Sequence, residues 1–333
     1  MTRASGEVLH LHLESFRKRP ALFHLTEARW RAAAKRHRVL AKRLRVTFGW
    51  DGDIIGEALR TADVMINSNP PREGLRRRAP RLKWIQTTGA GIDNLLPLDW
   101  LPRDIALTNN RGAHGSKAED SCAMAISLLN ARLPQMMESQ RHHAWEPVYS
   151  TPVAGKTAVV IGFGDLGRAA GRAAKRLGAR VIAITRSGRA ARPADAVYPV
   201  SRIDRVLPKA AVVIVTTPLT PETRNLLDRR RLDLLKPEAG LVNIGRSPVV
   251  DYDALREKLS EGSLAGAVLD VFQPEPLPAD SPLWDTPNLV VMPHVSCDDP
   301  RYVDRLLDFW FENLARFRAG RRLKNLIDRS RGY

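Results

Sequence analysis

AGKTAVVIGFGDLG, Ala154–Gly167, is the stretch that decides the architecture. An apolar run from Ala158 to Ile161 ends in three glycines, Gly162, Gly164 and Gly167, spaced as GxGxxG, and passes directly into the helical RAAGRAAKRLG that begins at Arg168. Strand, glycine turn and helix in that order open a βαβ unit. The first glycine permits the tight turn, the second lets a ligand approach the backbone, and the third lets helix and strand pack closely. The helix N-terminus then presents free N–H groups to a pyrophosphate. A dinucleotide cofactor is expected here, with Asp165 and Leu166 in the same loop.

Downstream the alternation of apolar runs and polar helices continues through GARVIAIT, AAVVIVTTP, AGLVNIGR, LAGAVLDVF and NLVVMPH, so that six strands are expected in one dinucleotide-binding sheet. Upstream, VLHLHL from Val8, a helical stretch from Thr26, RVTFGW from Arg45, DIIGEALR, DVMINS and LKWIQTTG predict a second set of βα units. Between the two sets, AEDSCAMAISLLNARL carries an apolar stripe through Cys122, Ile126, Leu129 and Leu133, which predicts a helix leading from one lobe into the other. The remainder from Asp298 reads as one amphipathic helix, with Leu306, Phe309, Trp310, Asn313, Leu314 and Phe317, and a basic tail. The expected fold is α/β, with two Rossmann-like or flavodoxin-like lobes of doubly wound parallel sheet. The expected boundaries are 111–297 for the dinucleotide-binding domain, and 1–110 with 298–333 for a discontinuous substrate-binding domain.

Two domains also suit a chain of 333 residues. The only two cysteines, Cys122 and Cys297, stand in no metal-ligand spacing and cannot build a disulfide framework, so no metal site and a reducing, cytoplasmic setting are expected. No run is apolar and long enough for a membrane span or a signal-peptide core. The formal charge of +17 comes from 53 Lys and Arg against 36 Asp and Glu. These cations are dispersed in short clusters such as Arg76 to Arg78 and Arg229 to Arg231, without interleaved aromatics, so a solvated surface is expected rather than a nucleic-acid interface.

The strand ending in ARVIAIT finishes where a carboxylate would hold the ribose 2′-hydroxyl of NAD. Thr185, Arg186 and Ser187 stand there instead, with Arg189 after them, and an arginine can pair with a 2′-phosphate. NADP(H) is therefore the expected cofactor, with NAD(H) as the alternative. Arg246 after LVNIG, Glu275 after AVLDVFQP and His294 after LVVMP all follow strand ends, where open α/β sheets place ligands. A fixed cation for a carboxylate and carbonyl, and an imidazole whose neighbouring carboxylate favours its protonated form, are what reduction of a 2-keto acid requires.

In their order and spacing, TPLTPETRNL, NIGRSPVVD, LDVFQPEPLP and MPHVS resemble the D-isomer-specific 2-hydroxyacid dehydrogenase family, from about Asp63 to the C-terminus. The resemblance implies catalytic Arg246, Glu275 and His294. It implies a carboxylate-binding loop of Thr88, Gly89, Ala90 and Gly91, with Arg246 on the same substrate, in a cleft between the lobes. It further implies Thr217, Pro218, Thr223 and Ile244 around the cofactor, Asp270 on its carboxamide, and a homodimer formed through the helix 118–133. Glyoxylate and hydroxypyruvate are the implied substrates, with D-specific hydride transfer at C2. Ser247 replaces the usual glycine or alanine, and Cys297, Asp298 and Asp299 replace the usual small turn. Those two acids argue against a phosphoglycerate-like substrate, and an isolated cysteine without a second base argues against thiol catalysis. The alternatives are a cofactor-sensing scaffold or corepressor on the same fold, a phosphoglycerate dehydrogenase-like enzyme, and oxidation of formate or phosphite. The last is disfavoured by the presence of Glu275, which formate-oxidising relatives lack.

Overall fold

A computed structural model describes residues 7–113 and 115–332. The chain forms two compact units, one of Met1–Ala113 with Asp299–Tyr333, the other of His114–Asp298. Among the described residues no helix is long and apolar enough to cross a membrane.

The first unit is built on β1 (Leu9–Ser15), β2 (Leu44–Trp50), β3 (Val64–Ile66), β4 (Trp84–Gln86) and β5 (Ala106–Thr108). They form a parallel sheet in the order β2-β1-β3-β4-β5, a flavodoxin-like arrangement. Leu9, Leu11 and Leu13 of β1 point into an apolar layer with Trp30, Trp84, Trp310 and Phe311. Trp84 and Trp310 stack at 5.6 Å. Trp310 and Phe311 belong to the helix Tyr302–Arg318, which closes this layer, with Phe311 fully buried where the sequence pattern pointed to Phe309. The alternating LHLHLES would ordinarily leave its polar face in water, yet His10, His12 and Glu14 are buried as well. They are satisfied in a chain of hydrogen bonds: Glu14 Oε2 to His12 Nε2 at 2.8 Å, His12 Nδ1 to Thr47 at 3.0 Å, and His10 to Thr47 and Thr61 at 2.9 Å each.

The second unit holds β6 (Thr157–Ile161), β7 (Arg180–Thr185), β8 (Ala196–Pro199), β9 (Val212–Val215), β10 (Gly240–Asn243), β11 (Gly266–Leu269) and β12 (Leu289–Val291). Its parallel order is β12-β11-β10-β9-β6-β7-β8, seven strands rather than the six expected. The added β8 pairs on the outer edge of β7. The chain winds outward from β6 through β7 and β8, then restarts on the other side with β9. The ligand crevice of such a sheet lies at that reversal, beyond the carboxyl ends of β6 and β9. Apolar layers cover both faces, one with Val159, Ile161, Val213 and Leu241, the other with Val160, Ile214, Val242 and Cys122. The helix Gly115–Asn130 supplies Cys122, Ala125, Ile126 and Leu129 to the second layer. It opens this unit, and it stops before Leu133, which is exposed and begins a separate helix, Leu133–Arg141.

Candidate active site

Gly162 follows β6 with φ +84°, in the left-handed region that favours glycine. A Cβ there would meet Thr217 Cγ2 at 2.8 Å, and one on Gly167 would stand 2.2 Å from the Gly162 carbonyl oxygen. The loop is thus folded tightly on itself, and the Thr216 hydroxyl ties it to β9 by donating to the Gly162 carbonyl at 2.9 Å. Gly164, the N-cap of the helix Asp165–Arg176, has nothing within 4 Å of a would-be Cβ. Thr217 Oγ1 is buried without a hydrogen-bond partner among the described residues. Open space over the middle glycine, an orphaned hydroxyl beside the first and a helix N-terminus are what a pyrophosphate-bearing cofactor would fill. Asp165 and Leu166 sit in the first turn of that helix.

At the end of β7, Thr185 Oγ1 accepts from the Gly188 amide at 2.9 Å, which fixes the turn carrying Arg186 and Ser187. Thr223 holds the loop after β9, its hydroxyl donating to the Pro218 carbonyl at 2.7 Å and accepting from the Thr220 amide at 2.8 Å. Ile244 is buried in the apolar layer with Val242 and Cys122, and its amide donates to the Val215 carbonyl at 3.1 Å.

Beyond the other strands, Arg246 follows β10, Asp270 follows β11 and His294 follows β12. His294 Nδ1 and Glu275 Oε2 are 2.8 Å apart, and Glu275 Oε1 accepts from the Phe272 amide at 2.8 Å. The carboxylate therefore fixes the imidazole tautomer and is itself fixed by the backbone. His294 has φ +54°. The segment after it is anchored by Asp270, whose buried carboxylate accepts from the Val295 amide at 2.8 Å and the Ser296 amide at 3.1 Å, and from the Ser296 hydroxyl. Burial pushes the Asp270 carboxyl above its ordinary range, against the opposing pull of Ser296, Val295 and the His294 charge. The Arg246 charge is felt by Cys297, three residues beyond His294. Burial nonetheless pushes the Cys297 thiol up to about 11, so it is no ready thiolate near neutral pH.

In the first unit, Thr87 to Gly91 follow β4. The Gly89 carbonyl accepts from the Asn110 amide at 2.9 Å and the Thr87 hydroxyl at 3.0 Å, and Asn109 Nδ2 donates to the Ala90 carbonyl at 2.6 Å. Among the described residues the amides of Thr88 to Gly91 donate to no partner. The Tyr302 hydroxyl donates to the Thr88 carbonyl. The Asp299 carboxylate lies in this unit and is bound at both oxygens by Arg305, at 3.1 and 2.6 Å. Its hydrogen bonds from Arg305 hold it below the ordinary range. Asp299 is thus a structural group whose charge Arg305 offsets.

The family profile described as D-isomer specific 2-hydroxyacid dehydrogenase, NAD binding domain, matches residues 122–296. The chain belongs to that family. Glyoxylate reductase of Korarchaeum cryptofilum is 30% identical over 286 residues, 83% of this chain and 85% of the relative. Among solved structures, a D-isomer specific 2-hydroxyacid dehydrogenase from Xanthobacter autotrophicus, in complex with NADPH and MES, aligns with TM-score 0.82 at 29% identity, over 98% of this chain and 100% of the other. An NADPH-dependent glyoxylate/hydroxypyruvate reductase from Sinorhizobium meliloti, in complex with NADP and sulfate, aligns with TM-score 0.82 at 26% identity, over 97% and 100%.

Two residues of this dehydrogenase escaped the sequence reading. Asn243, fully buried at the end of β10, accepts from the Gly245 amide at 3.0 Å and donates to the Arg246 carbonyl at 3.1 Å and the Tyr252 hydroxyl at 2.9 Å. Tyr252 in turn donates to the Val271 carbonyl at 2.9 Å. This bracket sets the backbone of the arginine loop against the loop that follows Asp270. The available signal was a lone asparagine closing an otherwise apolar strand. A cavity of about 520 Å³ at the amino ends of β6 and β9, lined by Lys156, Thr157, Ala211 and Ala239 among others, lies at the opposite end of the sheet from this chemistry.

Proposed function

We propose that the enzyme reduces a small 2-keto acid to the D-2-hydroxy acid with NADPH, by the same hydride-transfer chemistry as the glyoxylate and hydroxypyruvate reductases it resembles. The contact that carries this reading is His294 Nδ1 against Glu275 Oε2 at 2.8 Å, which leaves Nε2 to serve as the proton donor. A nicotinamide cofactor, when bound, would supply hydride for C2. His294 delivers a proton to the carbonyl oxygen, Glu275 keeps the ring oriented, and Arg246 stabilises the developing oxyanion and the carboxylate. In the first unit, the amides of Thr88, Gly89, Ala90 and Gly91 are offered to the same class of carboxylate. Asp270 positions the segment after His294 and would accept from the cofactor's carboxamide. Arg186, Ser187 and the missing acid at Thr185 support NADP over NAD, as do the NADPH and NADP complexes of the Xanthobacter and Sinorhizobium proteins.

His294→Ala should lower kcat by about 10²- to 10⁴-fold, the range that general acid catalysis spans, while NADPH binding by fluorescence titration stays near wild type. Turnover within a few-fold of wild type would remove His294 from the chemistry. Exposed Met124 and Met137, on the helices Gly115–Asn130 and Leu133–Arg141, support a homodimer through this face, which sedimentation velocity would test.

A further inference from the structure

We propose that Arg19 is a specificity-determining residue, selecting 2-keto acids that carry a second anionic group, a carboxylate or a phosphate, at the end remote from C1. The inference deepens the reductase reading and rests on it. Arg19 lies in the loop after β1, and its guanidinium Nη1 donates to Thr88 Oγ1 at 3.2 Å, on the glycine loop itself. The guanidinium carbon stands 4.4 Å from the centre of the Phe23 ring. Phe23 packs edge-on against Tyr302 at 5.2 Å, and Tyr302 donates to the Thr88 carbonyl. The Arg19 carbonyl is bonded to His24 Nε2 at 2.8 Å. An arginine stacked on a ring and tethered at its backbone has lost much of its freedom before a ligand arrives, so less is lost on binding.

No carboxylate among the described residues pairs with Arg19, in a unit where Asp299, Asp51, Asp104 and Asp308 are all paired with arginines. The cavity it borders holds about 320 Å³ and is lined by Ser68, Asn69, Thr87, Gly89, Asn94 and Leu95, with Gly91. Leu95 is its one aliphatic wall. A pocket for an alkyl or aromatic side chain would be mainly apolar, whereas this one offers amides, hydroxyls and a preset cation. The C1 carboxylate is common to every 2-keto acid and has the loop amides. Arg19, from the loop after β1, sets a positive charge against that loop, suited to a second anion and without use for a substrate that lacks one.

Purified enzyme is assayed with NADPH against glyoxylate and hydroxypyruvate, each with one anionic group, and against oxaloacetate and 3-phosphohydroxypyruvate, each with two. The ratio of kcat/KM for the second pair over the first should exceed one in the wild type. It should fall by about 10- to 100-fold in Arg19→Met, as loss of a charged hydrogen bond predicts, chiefly through KM, and Arg19→Lys should recover part of it. An unchanged ratio, with all four substrates equally impaired, would place Arg19 on the common carboxylate and overturn the proposal. A parallel thermal-shift series separates this from failure of the reductase reading, because it needs no turnover. Tartronate should stabilise the wild type more than glycolate does, and Arg19→Met should lose that difference while keeping its own melting midpoint. Equal stabilisation by the two acids in the wild type would also overturn the proposal.

Discussion

Arg186 illustrates how a single charge can be read only against its neighbours. Its place after β7 suits it to a 2′-phosphate, and the fold sets an opposing charge near it: the exposed Glu222 carboxyl is held below its ordinary range by the Thr220 hydroxyl, its own backbone and the Arg186 charge, in that order. Arg186→Ala should raise the KM for NADPH by about 10- to 100-fold, the value of a charged hydrogen bond to phosphate, with little change for NADH. Glu222→Gln should lower the KM for NADPH by no more than about fivefold, since exposed charge pairs are weak. Both are read from initial rates at saturating keto acid, and a wild type that turns over NADH better than NADPH would defeat the assignment of Arg186. Glu275 and His294 stand out in the sequence as ionisable groups just beyond apolar strands, and the fold brings these two together at 2.8 Å. Arg19 left no such mark, for it meets Thr88 only because β1 and β4 lie in one sheet, 69 residues apart in the chain.

The glycine loop separates two functions that the motif merges. In Gly167→Ala the new methyl would meet backbone at 2.2 Å, so the helix Asp165–Arg176 must move away from β6, at a cost of about 1 to 3 kcal/mol. In Gly164→Ala the methyl meets nothing within 4 Å, so the apo-protein should melt as the wild type does while the stabilisation given by NADPH shrinks. Differential scanning fluorimetry with and without NADPH checks both, and identical behaviour of the two variants would contradict this division. The strands that were hard to foresee share a physical cause. β5 and β8 have 3 and 4 residues and lie at sheet edges, where little apolar sequence is needed to complete a ladder. Leu133 kept the helical spacing yet lies past the break at Arg132, whose φ of +58° ends the stripe.

Over the molecule as a whole, the buried polar face of β1 and the surface charge give two dependences on solution conditions. Burial, then the charges of Arg45 and His12, hold the His10 imidazole below its ordinary value of 6.5. As pH falls through that value the unfolded chain takes up a proton that the folded chain refuses, so stability is complete above about 6.5 and declines below it until the folded imidazole also protonates. Urea unfolding between about pH 7 and 5 should show this loss, and His10→Asn should flatten the curve, whereas an equally steep curve in the variant would assign the loss elsewhere. The net charge of +17 should make kcat/KM for an anionic keto acid fall as ionic strength rises past about 0.1 M, where the screening length drops to about 10 Å. A rate insensitive to salt would show that this charge does not steer substrate. The sheet β2-β1-β3-β4-β5 leaves the ribosome long before the helix Tyr302–Arg318 whose Trp310 and Phe311 cover it, whereas His114–Asp298 emerges as an uninterrupted block. A nascent chain halted after residue 298 should therefore acquire a protease-resistant cofactor unit, while Trp30 and Trp84 wait uncovered and dependent on chaperones.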